Sequence, residues 1–274
     1  MAINSALPNW KDKILFTPGP LTTSRTVKQS LLRDLGSRDY EFNSLVTDIR
    51  KRLLDAGGVA DSGYEAIIMQ GSGTFSMESV ISSTIPADGK FLVIINGAYG
   101  RRVAQIAEAH HIAVVPLIYP ENSKPDLAEI EAALEADDAI TSVAVIHCET
   151  TTGIMNPIKE IGAIVKRFGK DYFVDAMSSF GGVPFNLAEC EIDYMVSSAN
   201  KCIEGIPGFG IILAKRETLL KTEAYARTFS LDLLAQLQRF DIDGQFRFTP
   251  PTHSLLAYHQ ALVELEMEGG VKGR

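Results

Sequence analysis

Residues 172–201 read YFVDAMSSFGGVPFNLAECEIDYMVSSANK and contain two short apolar runs, Tyr172–Val174 and Tyr194–Ser197. Their length and composition are typical of buried β-strands. Asp175 follows the first run directly, and Lys201 lies four residues after the second. Ligands of open α/β sheets bind beyond the carboxyl ends of the strands, so these two charged residues are the first candidates for a functional site.

The same pattern extends through the chain. Five further apolar runs predict buried strands at Ala66–Met69, Phe91–Ile95, Ala113–Leu117, Ser142–Ile146 and Gly210–Ala214. Helical patterns lie between most of them, at Thr74–Ile85, Arg101–His111, Asp126–Ala136 and Pro157–Phe168. The alternation predicts an α/β fold, a mostly parallel seven-stranded sheet with helices on both faces. The link into the last strand lacks a helical pattern, so an antiparallel last strand is predicted.

Composition and charge exclude several classes of protein. The 274 residues are 46% hydrophobic and 22% charged, as in ordinary soluble proteins. The apolar runs are far shorter than the roughly 20 residues that a membrane helix needs, and residues 1–13 do not resemble a signal peptide. A formal charge of −8 without a dense basic run disfavours binding to nucleic acid. The pairs Arg101-Arg102 and Lys215-Arg216 are interpreted as solvated charges on helix surfaces.

The cysteines point to a reducing compartment. Cys148, Cys190 and Cys202 are odd in number and lack CxxC spacing, which favours a cytoplasmic chain without a disulfide framework. His147-Cys148-Glu149 matches the first half of a zinc deaminase motif, but no PCxxC follows it. We therefore expect no metal site.

A glycine-rich turn follows the strand at Ala66–Met69. It reads Gln70-Gly71-Ser72-Gly73-Thr74 and leads into a helix. Glycines let the backbone approach an anion, and the first N–H groups of a helix attract negative charge, so the turn is suited to a phosphate group. The alternative is a tight turn in which Thr74 caps the helix. The turn is neither a Walker A motif nor a GxGxxG fingerprint.

Asp175 and Lys201 offer complementary chemistry. A carboxylate at a strand end can keep a pyridine nitrogen protonated, and a partly desolvated lysine is suited to imine formation and proton transfer. Singly, each residue has a structural alternative, as a turn aspartate or a structural lysine. Together with the phosphate turn they match the pyridine nitrogen, the aldehyde and the phosphate of pyridoxal 5′-phosphate (PLP).

Two further strand ends are compatible with this cofactor. Tyr99, within Asn96–Gly100, could stack on the pyridine ring, and Thr151, within His147–Gly153, could bond its phenolic oxygen. The alternatives are a core tyrosine and a threonine-rich β-turn.

Several motifs together resemble a known family. They are Phe16–Pro20, Gly71–Thr74, His147–Gly153, Val174–Ala176 and Ser198–Gly210. The chain resembles, over essentially its whole length, the 2-aminoethylphosphonate–pyruvate transaminases, within the class V branch of the fold-type I PLP enzymes. The run Ser198–Gly210 is fairly specific for this subgroup, whereas Asp175 and Lys201 mark only the superfamily.

The resemblance implies a role for each candidate residue. Lys201 would bond covalently to PLP and Asp175 would pair with the pyridinium. The phosphate would be held by Ser72, Gly73 and Thr74, and completed by Thr249 of the other chain of a homodimer. Tyr99 would lie over the ring, Thr151 near the phenolic oxygen, and Thr17 and Gly19 in the substrate pocket.

The resemblance also implies a reaction, in which 2-aminoethylphosphonate and pyruvate give phosphonoacetaldehyde and L-alanine in phosphonate catabolism. Alternatives are an alanine–glyoxylate or serine–pyruvate aminotransferase, or a catalytically silent chain that binds PLP or a partner. Residues 1–274 are expected to comprise an N-terminal segment and the PLP-binding large domain. Family members continue beyond the helix at Thr252–Glu268 into a small domain that carries a substrate-binding arginine, and we expect this domain to be largely absent here.

Overall fold

The computed structural model describes residues 13–274. The α-helices and strands occur in the order α1 (Arg25–Ser30), α2 (Tyr40–Ala56), β1 (Tyr64–Gly71), α3 (Gly73–Thr84), β2 (Lys90–Ile95), α4 (Ala98–Ala109), β3 (Ala113–Ile118), α5 (Leu127–Ala136) and β4 (Ile140–Ile146). They continue with β5 (Cys148–Glu149), β6 (Ile154–Met155), α6 (Ile158–Arg167), β7 (Asp171–Asp175), β8 (Tyr194–Ser198), β9 (Gly208–Lys215), α7 (Arg216–Leu219), α8 (Leu233–Asp243), α9 (Thr252–Met267) and α10 (Gly270–Gly273).

The predicted sheet is confirmed. All seven predicted strands form one sheet in the order β1-β9-β8-β7-β4-β2-β3. Neighbouring strands are parallel except at β9, which is antiparallel to both β8 and β1. The antiparallel last strand is therefore also confirmed. A small second ladder, β5 with β6, was not predicted, because two-residue strands carry no periodic signal.

The reversal of β9 determines where the strand ends meet. Since β9 is antiparallel to both neighbours, β1 runs in the same direction as β8, β7, β4, β2 and β3. Their carboxyl ends therefore share one edge of the sheet, which we call the carboxyl edge. The residues that end β1, β2, β4, β7 and β8 there are Gly71, Ile95, Ile146, Asp175 and Ser198.

Helix α3 packs closely on the sheet. It contacts β1, β8 and β9, and a Cβ built at Gly210 of β9 would lie 2.1 Å from Ser76 Oγ and 3.2 Å from Gly73 Cα. Only glycine permits this approach, which fixes the amino end of α3 at the carboxyl edge. Helix α4 packs on β2, β3 and β4, and its amino end reaches the same edge after β2.

The apolar side chains of these elements form one buried core. Its largest fully buried side chains include Tyr172, Tyr194, Phe91 and Phe209 from the sheet. Among residues 13–274, no helix is long and apolar enough to span a membrane.

The interpretation of Lys215-Arg216 as solvated helix charges is wrong in part. Lys215 ends β9, and Arg216 begins the four-residue helix α7. The Arg216 guanidinium bridges Glu65, at 2.8 Å, and Asp241, at 2.6 Å. It thereby links β1, which carries Glu65, to α8, which carries Asp241.

Candidate active site

Asp175 ends β7 as a nearly inaccessible carboxylate. Its side chain is 2% exposed, and Oδ1 accepts a hydrogen bond of 2.8 Å from the backbone N–H of Met177. Oδ2 is buried and has no hydrogen-bond partner among the residues that the structure describes. Burial, reinforced by the charge of Glu149, raises the pKa of Asp175 to about 6. Buried polar atoms almost always have partners, so Oδ2 is placed to receive a donor from a ligand.

Lys201 lies in the loop between β8 and β9. Its side chain is half-buried, and this burial lowers the pKa of the ammonium below its ordinary value, while the charge of Asp175 acts in the opposite direction. Nζ donates a hydrogen bond of 3.2 Å to Pro18 O, a contact that a ligand carbonyl can replace. The structure therefore brings the lysine and the aspartate predicted from sequence into one electrostatic unit.

The segment around Gly19 lies against this lysine. A Cβ built at Gly19 would lie 2.5 Å from Lys201 Cδ and 2.7 Å from Nζ. The backbone N–H of Leu21 donates to Asn200 O at 3.2 Å, which ties the segment to the lysine loop. Thr17 turns its hydroxyl back to Pro20 O, at 3.0 Å. Both residues predicted to line the substrate pocket thus lie beside or near Lys201, and Gly19 makes the closer contact.

The predicted phosphate turn forms the amino end of α3. Ser72 is the N-cap, in extended conformation, and its hydroxyl makes no capping bond. Thr74 is the second residue of the helix, so the alternative reading, with Thr74 as the cap, is wrong. The carbonyl of Ser72 accepts from the N–H groups of Phe75 and Ser76, as at an ordinary helix start. The first N–H groups of α3 remain for an anion.

Gly73 packs on the floor of the site. A Cβ there would lie 2.7 Å from Met177 Sδ and 3.0 Å from Ser198 Cβ. These neighbours follow β7 and end β8, the strands that present Asp175 and Lys201. The amino end of α3 therefore lies beside both.

Glu149, which the sequence analysis did not select, joins two of the predicted residues. It is fully buried, and Oε1 accepts from Thr151 Oγ1 at 2.6 Å and from the backbone N–H of Tyr99 at 3.4 Å. Its Oε2 is buried without a partner among the described residues. A Cβ at Gly97 would lie 2.2 Å from Glu149 Cδ, so the glycine makes room for the carboxylate. Glu149 thereby caps α4 and holds Tyr99 and Thr151 on adjacent loops.

Arg102 was interpreted as a solvated helix charge, and that interpretation is incomplete. It is exposed, but its guanidinium lies over the Tyr99 ring, with Cζ 4.8 Å from the centroid. Its charge also lowers the pKa of both Asp175 and Lys201. The sequence signal for this contact is the three-residue spacing of Tyr99 and Arg102, since residues three apart on a helix are neighbours.

His147 is hydrogen-bonded to the backbone of Asp175. Its backbone N–H donates to Asp175 O at 2.8 Å, and Nδ1 lies 2.9 Å from Ser179 Oγ. Burial lowers the pKa of the imidazole to about 4, so the ring is neutral at physiological pH. Its ring meets the edge of Phe185 at a centroid distance of 4.8 Å. Within residues 13–274 no cluster of three or more His, Cys, Asp or Glu side chains is arranged to hold a metal ion.

Thr249 lies beside the carboxyl end of β1. It is exposed in the loop before α9, where Gln70 Nε2 donates to the carbonyls of Phe248, at 2.9 Å, and of Thr249, at 3.4 Å. Thr249 also lines a polar cavity of about 330 Å³ together with Arg38 and Arg247. Among the described residues, Thr249 therefore contacts Gln70, which directly precedes the predicted phosphate turn of its own chain.

A large cavity does not coincide with these residues. It measures about 710 Å³ and lies between the end of α2, the Phe185 loop and the carboxyl end of α9. Neither Lys201 nor Asp175 lines it. We assign the site to the carboxyl edge because the desolvated lysine is there, together with the Asp175 oxygen that has no partner among the described residues.

The cluster fits the groups of one cofactor. The unpartnered oxygen of Asp175 can accept from a protonated ring nitrogen, Lys201 presents an amine, and the amino end of α3 presents free N–H groups. A mostly parallel sheet with this lysine–aspartate pair at its carboxyl edge defines a PLP-dependent enzyme. The chain belongs to the class V aminotransferases, since residues 22–272 match the model of that family, and its cofactor is PLP.

Curated relatives cover almost the whole chain. A 2-aminoethylphosphonate–pyruvate transaminase of Bacillus cytotoxicus is 53% identical over 262 residues, which are 95% of this chain and 72% of that protein. A transaminase of the same name from Bacillus cereus is 50% identical over the same shares. Both relatives are therefore longer than this chain.

Solved structures agree on the fold. The pyridoxamine–pyruvate aminotransferase of Mesorhizobium loti superposes with a TM-score of 0.85 at 27% identity, covering 96% of this chain and 68% of that one. The alanine–glyoxylate aminotransferase of a Nostoc species gives a TM-score of 0.87 at 24% identity, covering 98% and 73%. The second similarity shows the fold alone.

Proposed function

We propose that this chain transfers the amino group of 2-aminoethylphosphonate to pyruvate and so produces phosphonoacetaldehyde and L-alanine. The observation that carries the proposal is the 50–53% identity, over 95% of the chain, to transaminases named for this reaction. The geometry at the carboxyl edge supports it, because Lys201 and Asp175 form one unit with opposite charges.

Asp175 sets the electronic state of the ring. When bound, PLP supplies a carbonyl carbon that condenses with amines and a pyridinium ring that withdraws electrons from the attached carbon. The Oδ2 atom is buried and has no partner among the described residues. It would accept a hydrogen bond from the protonated ring nitrogen and keep that nitrogen charged. A bound pyridinium would also offset the free-energy cost of burying the Asp175 carboxylate without a counter-ion.

Lys201 moves the proton of the reaction. Burial lowers the pKa of its ammonium, so a larger fraction of Nζ is present as the free amine near neutral pH. With PLP bound, Nζ would take the proton from the carbon that bears the substrate's amino group and pass it to the carbonyl-derived carbon of the cofactor. In the half-reaction with pyruvate, Nζ would move a proton in the opposite direction, to the carbon that receives the amino group. Gly19 lies against the lysine side chain and restricts where this proton can be delivered.

The remaining residues orient the cofactor. Ser72, Gly73 and Thr74 present N–H and hydroxyl donors to the phosphate at the amino end of α3. Tyr99, held by Glu149, would lie over the ring face, and Thr151 would turn its hydroxyl from Glu149 to the phenolic oxygen. We assign these roles because Glu149 holds both residues on loops at the same edge.

The assembly belongs to the same proposal. We infer a homodimer in which Thr249 contributes to the phosphate site of the partner, since the residue is exposed in the loop before α9. Residues 13–274 then form the PLP-binding large domain with its N-terminal segment. Three free cysteines support a reducing, cytoplasmic location.

A product assay and a labelling experiment test the function together. Incubation of the PLP-loaded protein with 2-aminoethylphosphonate and pyruvate should yield alanine, observed by NMR, whereas serine, or alanine with glyoxylate, should react poorly. Borohydride reduction should attach the cofactor to Lys201, as mapped by mass spectrometry. Lys201→Ala should lose both signals, while Lys159→Ala, which removes an exposed lysine paired with Glu189, should keep them. Turnover of serine or alanine without turnover of the phosphonate would favour the alternative aminotransferases.

A further inference from the structure

Arg102 is a cation without a counter-ion among residues 13–274. Its neighbour Arg101 pairs with Glu121, but the Arg102 guanidinium makes no hydrogen bond or ion pair in that part of the chain. Both arginines are exposed and lie in the first turns of α4. The difference between them is therefore one of direction, since only Arg102 turns towards Tyr99.

The position of Arg102 is fixed by stacking rather than by charge pairing. Its guanidinium lies 4.8 Å from the centroid of the Tyr99 ring, three residues earlier on the same helix. Side chains of a helix lean towards its amino end, and the amino end of α4 is at the carboxyl edge. The backbone of Tyr99 is in turn held by the buried carboxylate of Glu149. Stacking leaves the N–H donors at the rim of the guanidinium free.

The charge of Arg102 acts on the reacting groups. It lowers the pKa of Asp175 and of Lys201, and it is the only arginine named among the causes for either residue. Arg102 therefore lies close enough to both for its field to reach the atoms that the proposed reaction uses. A planar guanidinium with free donors at the mouth of a site matches an oxyanion through two parallel hydrogen bonds.

We propose that Arg102 binds the anionic group of the substrate, an oxyanion separated by a short chain from the carbon that reacts. The inference rests on the proposed transamination and deepens it. The phosphonate of the amino donor is such a group, one methylene away from the reacting carbon, whereas the carboxylate of the keto acid is bonded to that carbon directly. Each of the two substrates is small, so a cation that holds either oxyanion must lie near Lys201 and Asp175, as Arg102 does.

Arg102→Gln tests this in the PLP-loaded enzyme, with Arg101→Gln as the matched control on the same helix turn. Loss of a charge-assisted pair should raise the KM for the phosphonate donor about ten- to a hundred-fold with little change in kcat. Arg101→Gln should behave as wild type. Arg102→Lys, which keeps the charge without the fork, should be intermediate. Cofactor affinity, measured by fluorescence titration, should stay at the wild-type value.

Binding of unreactive anions separates the two sources of the oxyanion. Ethylphosphonate and propionate are titrated into the PLP-loaded proteins and followed by cofactor absorbance. Weaker binding of ethylphosphonate to Arg102→Gln assigns the phosphonate, and weaker binding of propionate alone assigns the carboxylate. Unchanged binding of both anions, or a loss of PLP affinity instead, overturns the proposal. These titrations need no turnover, so they stay informative if wild-type enzyme does not use 2-aminoethylphosphonate, which would refute only the proposed function.

Discussion

Asp175→Asn should change how the stability of the cofactor-free chain depends on pH. The carboxylate is 2% exposed, one of its oxygens has no partner among the described residues, and its pKa rises from 3.8 to about 6. A carboxyl group whose pKa is raised by folding binds its proton more tightly in the folded chain. Its contribution to stability is therefore present below pH 4 and is lost as the pH rises from about 4 to about 6.

The magnitude follows from the size of the shift. Ionisation of Asp175 in the folded chain costs about 3 kcal/mol at pH 8 and about half of that at pH 5. Asparagine does not ionise, so the free energy of unfolding of Asp175→Asn should gain about 1.5 kcal/mol relative to wild type between pH 5 and pH 8. Other groups, such as His147 and Asp171, also titrate in this range, but they are common to both proteins and cancel in the difference.

Urea denaturation of both cofactor-free proteins at several pH values provides the measurement. Asp193→Asn is the matched control, because Asp193 is equally buried but accepts from Tyr172 N, at 2.7 Å, and Thr218 Oγ1, at 3.2 Å, and pairs with Lys166. That substitution should cost about 1–3 kcal/mol, since it removes a satisfied acceptor. A difference between Asp175→Asn and wild type that stays constant from pH 5 to pH 8 would refute the reasoning. In the PLP-loaded enzyme the ionised carboxylate has a cationic partner, so Asp175→Asn should lower the free energy of unfolding relative to wild type. Turnover of this variant should fall about 10²- to 10³-fold.

Two further predictions concern the walls of the site. Gly73→Ala should destabilise the chain by about 1–3 kcal/mol in urea denaturation, because its Cβ would overlap Met177 Sδ, 2.7 Å away. Combined with Met177→Ala it should cost less than the sum of the two single changes, and strict additivity would contradict the contact. Glu149→Gln removes a charge that raises the pKa of Asp175. The stabilising contribution of protonated Asp175 should therefore be lost at a lower pH in this variant than in wild type. Thr151→Val, which breaks the hydrogen bond to Glu149 but keeps its charge, should leave that pH in place.

The strands were predictable because each is a continuous apolar run. Ala66–Met69 and Ser142–Ile146 fall within β1 and β4, and the structure only extends them by one or two residues at their ends. The order of the strands was not predictable, since it depends on pairing between distant segments. The pair β1–β9 joins residues separated by more than 130 positions, and no local pattern encodes it.

The site was predictable only where a strand end carries the group. Asp175 and Lys201 follow buried strands, and the rule for carboxyl ends selects them. Glu149 also follows a strand, but its importance arises from contacts with Thr151 and with the backbone of Tyr99 across two loops. Those contacts exist because Gly97 has no side chain, which is a property of the packed structure.

The reversal of β9 has a chemical consequence for Lys201. Because β9 returns directly beside β8, the lysine lies in a loop and not at the start of a crossover helix. Helix α3, by contrast, begins where β1 ends, and its free N–H groups give that side of the carboxyl edge a positive potential. Anionic groups are attracted there, while the amine lies beside the carboxylate of Asp175, which favours its protonated form against the effect of burial. A crossover helix beginning at Lys201 would add a positive dipole end at the amine and a competing site for the phosphate. The antiparallel strand therefore keeps a second helix start away from the amine.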